Sequence, residues 1–436
     1  MDLATPAAAP RSVSHPPARG RLLVWGGYAL LLLVVPLVLP SNLERSVLTQ
    51  IGIGIVACLS YNMLLGQGGM LSFGHAVYTG LGTFVAVHAM LGIADGSFPI
   101  PMSLVPLIGG IAGIFFAALF GYVTTKKAGT PFAMITLGIG ELVAPMVLII
   151  PEFFGGEGGI SVNRTAGPSF LGLTYGPQIQ VYYLIALYTF ACTVAMFAFT
   201  RTPLGRMLNA VRDNPERVEF VGYSTQRVRY LSFIIAGFFA GISGGMYVVH
   251  FEIATPDVVG AARSGVYLLF TFLGGATFFF GPIIGAVLMV VGFALFSEVT
   301  KAWLLYLGLI FMLMVMYAPG GIASLIMMNA RVAAHRKLHR LWGWYALLAA
   351  TVIVMLAGLA AVIEMVYARQ YGAVGETKAR YLGMTLETTD VAPWAIAIVV
   401  ALVGFALFEL VRRRFATEWG RIQTEIEATM TSKEPS

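Results

Sequence analysis

Few side chains in this sequence are spaced for covalent chemistry. His75 and His88 lie near opposite ends of one apolar run, thirteen residues apart, too far to share a metal or to act as an acid–base pair. No H-E-x-x-H and no pair of close carboxylates falls within an apolar run. Cys58 and Cys192 sit in apolar runs with neither a CxxC spacing nor a histidine at ligand distance, so they are read as small packing residues and no metal site is expected. The sharpest isolated group is Glu141, which stands in a long apolar run beside Thr136, Gly138 and Gly140. A charge at the centre of a bilayer costs about 2.5–3.5 kcal/mol on insertion scales. Glu141 therefore either faces a polar path and touches a solute, or is protonated or hydrogen-bonded between helices. Glu364 lies close enough to the end of its own run to snorkel to the interface.

Other segments carry polar groups or punctuation that a plain apolar helix does not need. One reads Asn62-Met63-Leu64-Leu65-Gly66-Gln67-Gly68-Gly69-Met70-Leu71-Ser72-Phe73-Gly74-His75-Ala76. Small residues let helix backbones approach closely, while Gln67, Ser72 and His75 must face protein or water, since lipid would leave them unpaired. They are candidates for the lining of a translocation path, and tight packing with locally satisfied polar groups accounts for them equally well. A second stretch, Gly274-Gly275-Ala276-Thr277 and then Gly281-Pro282-Ile283-Ile284-Gly285, echoes the first. The echo hints at an internal repeat, in which interrupted segments from two halves meet at a transport path.

A third segment runs from Thr202 to Gly222. Pro203 suits an early helix position, Asn214-Pro215 starts a second short helix as cap and first residue, and Gly222 can close it in a left-handed conformation. Arg206, Arg212 and Arg217 make it basic, and Leu204, Met207, Leu208 and Val211 form a helical apolar stripe available to a partner. A cytosolic loop obeying a charge bias explains the arginines but not the two-helix punctuation, so the segment reads as a docking element.

The elements that must hold these groups follow from composition. The 436 residues are 58% hydrophobic and 11% charged, with a mean hydropathy of +0.82, against about 25% charged in soluble domains. A bilayer core about 30 Å thick takes about 20 apolar residues per helical crossing. Apolar stretches fall near 22–40, 47–65, 70–92, 99–123, 129–150, 179–200, 230–250, 265–280, 282–297, 302–318, 342–366 and 393–411. The fold class is an all-α polytopic membrane protein with about 10–12 transmembrane helices. Half-helices or re-entrant segments fit the Gly-rich stretches at 66–92 and 265–297 if they line a cavity.

With a cytoplasmic N-terminus, twenty of the 27 Lys and Arg fall on the inner face, and both termini are predicted cytoplasmic. The net charge of +6 comes from these clusters, so nucleic acid is not an expected partner and membrane lipid is. The first apolar run ends at Leu39-Pro40-Ser41 without an A-x-A-like cleavage site and is expected to stay as an anchor. The stretch 151–178 is dense in glycine and other turn residues and reads as a loop, and the Asn163-Arg164-Thr165 acceptor pattern within it is given no weight.

Taken in order, the N-x-L-L-G-Q-G-G-x-L-S-F-G-H-A run, the T-P-L-G-R-x-x-x-A-V-R-D-N-P-E-R-x-x-x-x-G run and the F-x-A-G-I-S-G-G-M-Y run at 238–247 resemble the LivH/LivM-type permeases of branched-chain amino acid ABC importers, LivM more closely, over about 44–325. The resemblance implies a bacterial inner-membrane importer. A pair of permease subunits, the second a LivH-like homologue, forms the path; two separate ATPases dock on cytoplasmic coupling helices, and a periplasmic solute-binding protein delivers the solute. Carried over, the coupling element is 203–222, with Pro203, Leu204, Gly205, Arg206, Leu208, Arg212, Asn214, Pro215, Glu216, Arg217 and Gly222. The candidate path residues are Gln67, Ser72, His75, Glu141, Gly274 and Gly275.

No G-x-x-x-x-G-K-[ST] phosphate loop occurs, so this chain is expected to be no enzyme and to bind no cofactor, with ATP and Mg used by partner subunits. Ser243-Gly244-Gly245-Met246 resembles an ATPase signature, but its apolar surroundings make it a helix-packing motif. The solute implied by the family is a branched-chain or related amino acid. Urea, short amides or small carboxylates fit the same family, and a stand-alone secondary transporter fits the physical reading alone. The chain divides into a cytoplasmic segment 1–21, a permease domain 22–328, a basic linker 329–341, an extra helical hairpin 342–411 and a cytoplasmic tail 412–436. The last hundred or so residues depart from the family pattern.

Overall fold

The computed structural model describes residues 18–167, 172–300, 302–318, 320–335, 337, 339–371, 378–381 and 384–431. Most of the segment 1–21, together with Pro168, Lys301, Pro319, Arg336 and the last residues of the tail, lies outside these ranges. The chain forms two compact units, 1–268 and 269–436, and each is described by itself. The division into permease domain, linker and hairpin drawn from the sequence rests on other grounds and stays a proposal.

The first unit contains α1 (Ala18–Val38), α2 (Asn42–Gly68), α3 (His75–Ala94), α4 (Val105–Thr124), α5 (Thr130–Ile149), the one-turn α6 (Pro151–Phe154), α7 (Gln178–Arg201), α8 (Pro203–Asp213), α9 (Pro215–Phe220), α10 (Thr225–Phe251) and the start of α11 (Ala261–Gly274). Its centre is α10, which packs on α2, α3 and α4. The F-x-A-G-I-S-G-G-M-Y run supplies the approach: a Cβ on Gly241 would stand 2.1 Å from the carbonyl oxygen of Gly109, and one on Gly113 would stand 2.1 Å from that of Gly237. Backbone therefore meets backbone, the arrangement small residues permit between apolar helices. Ser243 Oγ donates to Ile53 O at 3.1 Å, and Thr83 Oγ1 donates to Gly244 O at 3.1 Å, so the polar atoms at this centre are spent on neighbouring carbonyls. The Ser243–Met246 stretch is a packing motif.

Helix starts follow the sequence. Ser41 and Glu44 form a capping box on α2, each bond 3.2 Å long. Thr202 caps α8 through Gly205 N, and Asn214 caps α9 through Arg217 N, with Pro203 and Pro215 in first position. Gly222, at φ +91°, follows the end of α9. The stretch 151–178 is more ordered than a plain loop: β1 (Ile160–Ser161) pairs antiparallel with β2 (Ile253–Ala254).

The second unit holds the end of α11, α12 (Gly281–Val299), α13 (Trp303–Tyr317), α14 (Gly321–Ala334), α15 (His339–Tyr371), the antiparallel β3 (Lys378–Tyr381) and β4 (Met384–Glu387), and α16 (Val391–Thr431). α15 and α16 form a hairpin in which Gly358 lies against Ala401 and Gly404 against Met355. A small core of Val332, Leu341 and Ile422, flanked by Tyr345, Phe415 and Trp419, ties α14 to the start of α15 and the late part of α16. Glu425 pairs there with Lys337 at 2.7 Å and Arg340 at 3.3 Å. Glu364 Oε1 accepts from Tyr306 OH at 3.2 Å and from Thr300 Oγ1, so it has hydrogen-bond partners within the unit.

Every apolar run read from the sequence contains a helix, although residues 70–74 and 275–280 are not helical. Among the described residues eight helices are long and apolar enough to cross a membrane, or nine if the bent pair α13–α14 is one span. The runs in α1 and α12 are shorter apolar helices, and α11, with 14 residues, is about 21 Å long, less than a bilayer core.

The backbone contact at α10 sets a test. Gly241→Ala is expected to destabilise the detergent-solubilised protein by about 1–3 kcal/mol or more, because the carbonyl it meets cannot turn aside. Gly138→Ala, with nothing within 4 Å of the new methyl group, is expected to leave the melting temperature unchanged or slightly raised.

Candidate functional site

α2 and α3 are separated by a break that turns back into the bundle. α2 ends at Gly68, and Gly69 closes it in the left-handed conformation at φ +63°, its N–H reaching Leu65 O. Residues 69–74 then run back along α2: Met70 N bonds Leu64 O, Tyr61 OH donates to Ser72 O at 2.9 Å, and His75 Nε2 meets Ser60 Oγ at 2.9 Å. Ser60 lies eight residues before the end of α2, so α3 begins about 12 Å inside that end. The segment is held from the side as well. Phe73 N donates to Thr136 Oγ1 of α5 at 3.1 Å, and Ala76 N donates to Ser264 Oγ of α11 at 2.9 Å. Gly74 is obligatory, since a Cβ there would stand 2.2 Å from Thr136 O.

The polar groups at this break divide into paired and unpaired. Ser60 Oγ donates to Ala57 O at 2.7 Å, so the bond to His75 must come from a protonated Nε2, which leaves Nδ1 of a neutral ring as an acceptor. That Nδ1, with Ser72 Oγ and Asn62 Oδ1, is buried and has no hydrogen-bond partner among the described residues. Tyr61, Tyr78 and Tyr267 stand around the imidazole with ring centroids 5.2–6.5 Å away. Orphaned buried polar atoms are expensive, and three of them gather here beside the start of α3, whose N-cap residue Gly74 supplies no side-chain bond. Gln67 sits in the last turn of α2, on the approach to the break.

The basic two-helix segment is fastened to this break. Leu208 is fully buried, with Cδ1 3.1 Å from where a Cβ on Gly68 would stand, and Arg212 Nη1 donates to Gly66 O. The Arg212 side chain also covers Gly69, which has room for no Cβ there. The apolar stripe expected to meet a partner is thereby corrected. Leu208 and Val211 face the chain's own helices, and Leu204 and Met207 are half-buried. The apolar residues on the open side are ones the periodicity did not single out: Phe220 is 89% exposed, beside Val221 and Tyr223. Arg206, Arg217 and Glu216 are exposed with them.

Glu141 is not part of this cluster. Thr136 and Gly140 are buried against the break, whereas Glu141, Gly138 and Leu142 lie on the exposed face of α5. Gly274 and Gly275 belong to the second unit, where they make a tight corner: a Cβ on Gly274 would stand 2.0 Å from Gly281 O, and Gly275 adopts φ +113°. Among the described residues no three or more His, Cys, Asp or Glu side chains gather as metal ligands.

Sequence reasoning missed a polar cluster at the end of the unit opposite α8. His250, at the close of α10, meets Ser46 Oγ through Nε2 at 3.2 Å and Gln178 Nε2 through Nδ1 at 3.3 Å. Arg164 donates to Tyr175 O at 2.8 Å and His250 O at 3.2 Å, and pairs with Glu252 at 3.6 Å. These residues come from four separated segments and share no motif.

A match to the family described as branched-chain amino acid transport system, permease component, covers residues 45–319. The high-affinity branched-chain amino acid transport system permease protein LivM of Salmonella typhimurium is 27% identical over 321 residues, 68% of this chain and 74% of its own length. A probable LivM of Methanocaldococcus jannaschii is 24% identical over 337 residues, 64% of this chain and 93% of its own. The nucleoside ABC transporter permease protein NupB of Lactococcus lactis is 33% identical over 89 residues, 20% of this chain and 24% of its own. No solved structure matches.

The division of polar groups at the break gives opposite expectations for two serines. Ser60→Ala strands the His75 Nε2–H and is expected to cost about 1–3 kcal/mol in a chemical or thermal melt. Ser72→Ala removes a hydroxyl that has no partner, and is expected to be neutral or stabilising in the same melt.

Proposed function

The chain belongs to the branched-chain amino acid permease family and is a LivM-type, multi-pass permease subunit of an ABC importer, and on that premise we propose that α8 and α9 receive the ATPases and drive the break between α2 and α3. The solute we assign is a branched-chain or related amino acid, in keeping with what the LivM relatives carry by name. The remaining assembly follows the same reading. Two ATPase subunits hydrolyse Mg-ATP, a LivH-like permease pairs with this chain, and a periplasmic protein delivers the solute. The chain itself binds no cofactor and performs no covalent chemistry. It sits in a bacterial inner membrane with α8, α9 and both termini in the cytoplasm, where twenty of its 27 Lys and Arg then lie.

The observation that carries this reading is the joint at Gly66–Gly69. Leu208 and Arg212 of the short helix are seated on the end of α2, one residue before the chain unwinds toward Ser72 and His75. A push on α8 reaches that segment through one hydrogen bond and one buried side chain. The docking surface itself is the exposed tip, Phe220, Val221 and Tyr223, flanked by Arg206 and Arg217. Alternating access then consists of moving the 69–74 segment off α5, which bares the unpaired groups of Ser72 and His75 to the solute. Glu141 serves the same path from the exposed side of α5. It stands twelfth of 20 residues in that helix, too central to reach an interface, so its face is covered by the second permease or by water of the path and not by lipid.

Two substitutions separate docking from coupling. In proteoliposomes holding the co-purified complex, Phe220→Asp is expected to release the ATPase subunits and abolish ATP-driven uptake. Arg212→Gln is expected to keep the ATPases bound and hydrolysing while uptake per ATP falls about tenfold, the scale of one lost charge-assisted hydrogen bond. Uptake by this chain alone down an ion gradient, without ATP, would overturn the importer assignment.

A further inference from the structure

At the end of the first unit opposite α8, separated segments line an open cavity of about 410 Å³. Its polar lining is Asn42, Arg45 and Ser46 from the first turn of α2, Arg164 from the loop, and Gln178 from the start of α7; none of its described lining residues is a carboxylate. The size suits a small organic ligand, since ligand pockets run from about 300 to 1,000 Å³.

The two arginines differ. Arg164, with a side chain 12% exposed, is spent on Tyr175 O, Gly176 O and His250 O and is answered by Glu252. It shapes the wall and adds little net charge. Arg45 is bonded through Nε to Pro36 O at a long 3.5 Å and pairs with no carboxylate among the described residues. One guanidinium charge is thus left to the cavity.

The other polar atoms add donors. Gln178 Nε2 donates to His250 Nδ1, so the imidazole proton sits on Nε2 and points at Ser46 Oγ, which also receives Gln50 Nε2 at 3.4 Å. Ser46 therefore accepts twice and keeps its own hydroxyl proton to give. α7 begins after Pro177 with no side chain on its first N–H groups, and those of Gln178 and Ile179 have no acceptor within the helix. α2 starts at the same cavity, but the Ser41–Glu44 capping box already answers its first N–H groups, so the open helix end there is that of α7.

A cavity with one unanswered cation, several donors and no lining carboxylate complements an oxygen anion of single charge. We propose that it binds the carboxylate of a small solute. A lipid phosphodiester presents the same charge and oxygens, so the shared chemistry is a singly charged oxyanion head and the experiment must separate the sources. That the bound solute is the one later transported rests on the importer reading, whereas the binding itself does not.

The test is equilibrium binding to the co-purified complex in phosphatidylcholine nanodiscs without ATP, read from the carboxyl line width of [1-13C]isobutyrate, with isobutyramide as the uncharged equivalent. Isobutyrate is expected to broaden and isobutyramide not. Arg45→Gln is expected to weaken isobutyrate about tenfold or more, and Arg45→Lys less, with melting temperatures unchanged. Phosphatidylglycerol that displaces isobutyrate in wild type, and whose own 31P line is broadened by wild type but not by Arg45→Gln, would keep the oxyanion chemistry and assign it to lipid. Equal binding of acid and amide, or an Arg45→Gln protein that binds as wild type does, would overturn the proposal. ATP-driven uptake measured on the same preparations keeps the two readings apart, because absent binding beside intact uptake removes the cavity and leaves the importer.

Discussion

A carbonyl oxygen already bonded within its own helix can still lie against a neighbouring backbone if nothing larger than hydrogen stands between them. α10 depends on this at Gly241, and α4 at Gly113, where any side chain would occupy the space of a partner's carbonyl. Once the backbones of α10, α3 and α4 are that close, Thr83 and Ser243 can reach across to carbonyls of adjoining helices. The result is a centre with its polar atoms answered internally, so it can sit where water does not enter. The positions of α2, and hence of everything fastened to the end of α2, follow from that centre.

The break at 69–74 is the counterpart. There the backbone leaves the helix and finds its partners in side chains of Tyr61, Thr136 and Ser264, while side chains of the break itself remain unanswered. At the contact of α10 with its neighbours Thr83 and Ser243 spend their hydroxyls on the fold, and the break withholds that of Ser72. That contrast, more than any one residue, is what sets the break apart from the packed centre and supports the proposed role of the break in transport.

Local features were legible in the residues themselves. The caps at Thr202 and Asn214, the prolines after them and the glycines of the break are short-range signals whose meaning does not depend on distant neighbours. The apolar stripe of α8 was legible as a stripe, but periodicity cannot say whether its apolar side meets a partner or its own chain, and Leu208 and Val211 turned out to face inward. Glu364 shows the same limit from another side, since its place near the end of an apolar run is visible in sequence and Tyr306 beside it is not. The cluster around His250 was out of reach altogether: Ser46, Arg164, Gln178 and Glu252 meet only through the packing of α2, α7 and α10.

The seat of α8 on α2 has a mechanical corollary. Leu208 and Arg212 meet α2 directly at Gly66–Gly69, with no segment between, so under the proposed coupling a displacement of α8 would reach Gly68 without a lever arm. Any gearing has to be done by the stretch that follows. Six residues of unwound chain reach at most about 20–22 Å when fully extended, at about 3.3–3.6 Å each, and bend readily at their soft dihedrals. This one turns at Gly69 and covers about 12 Å along α2, so it carries slack and would straighten before it pulled on α3.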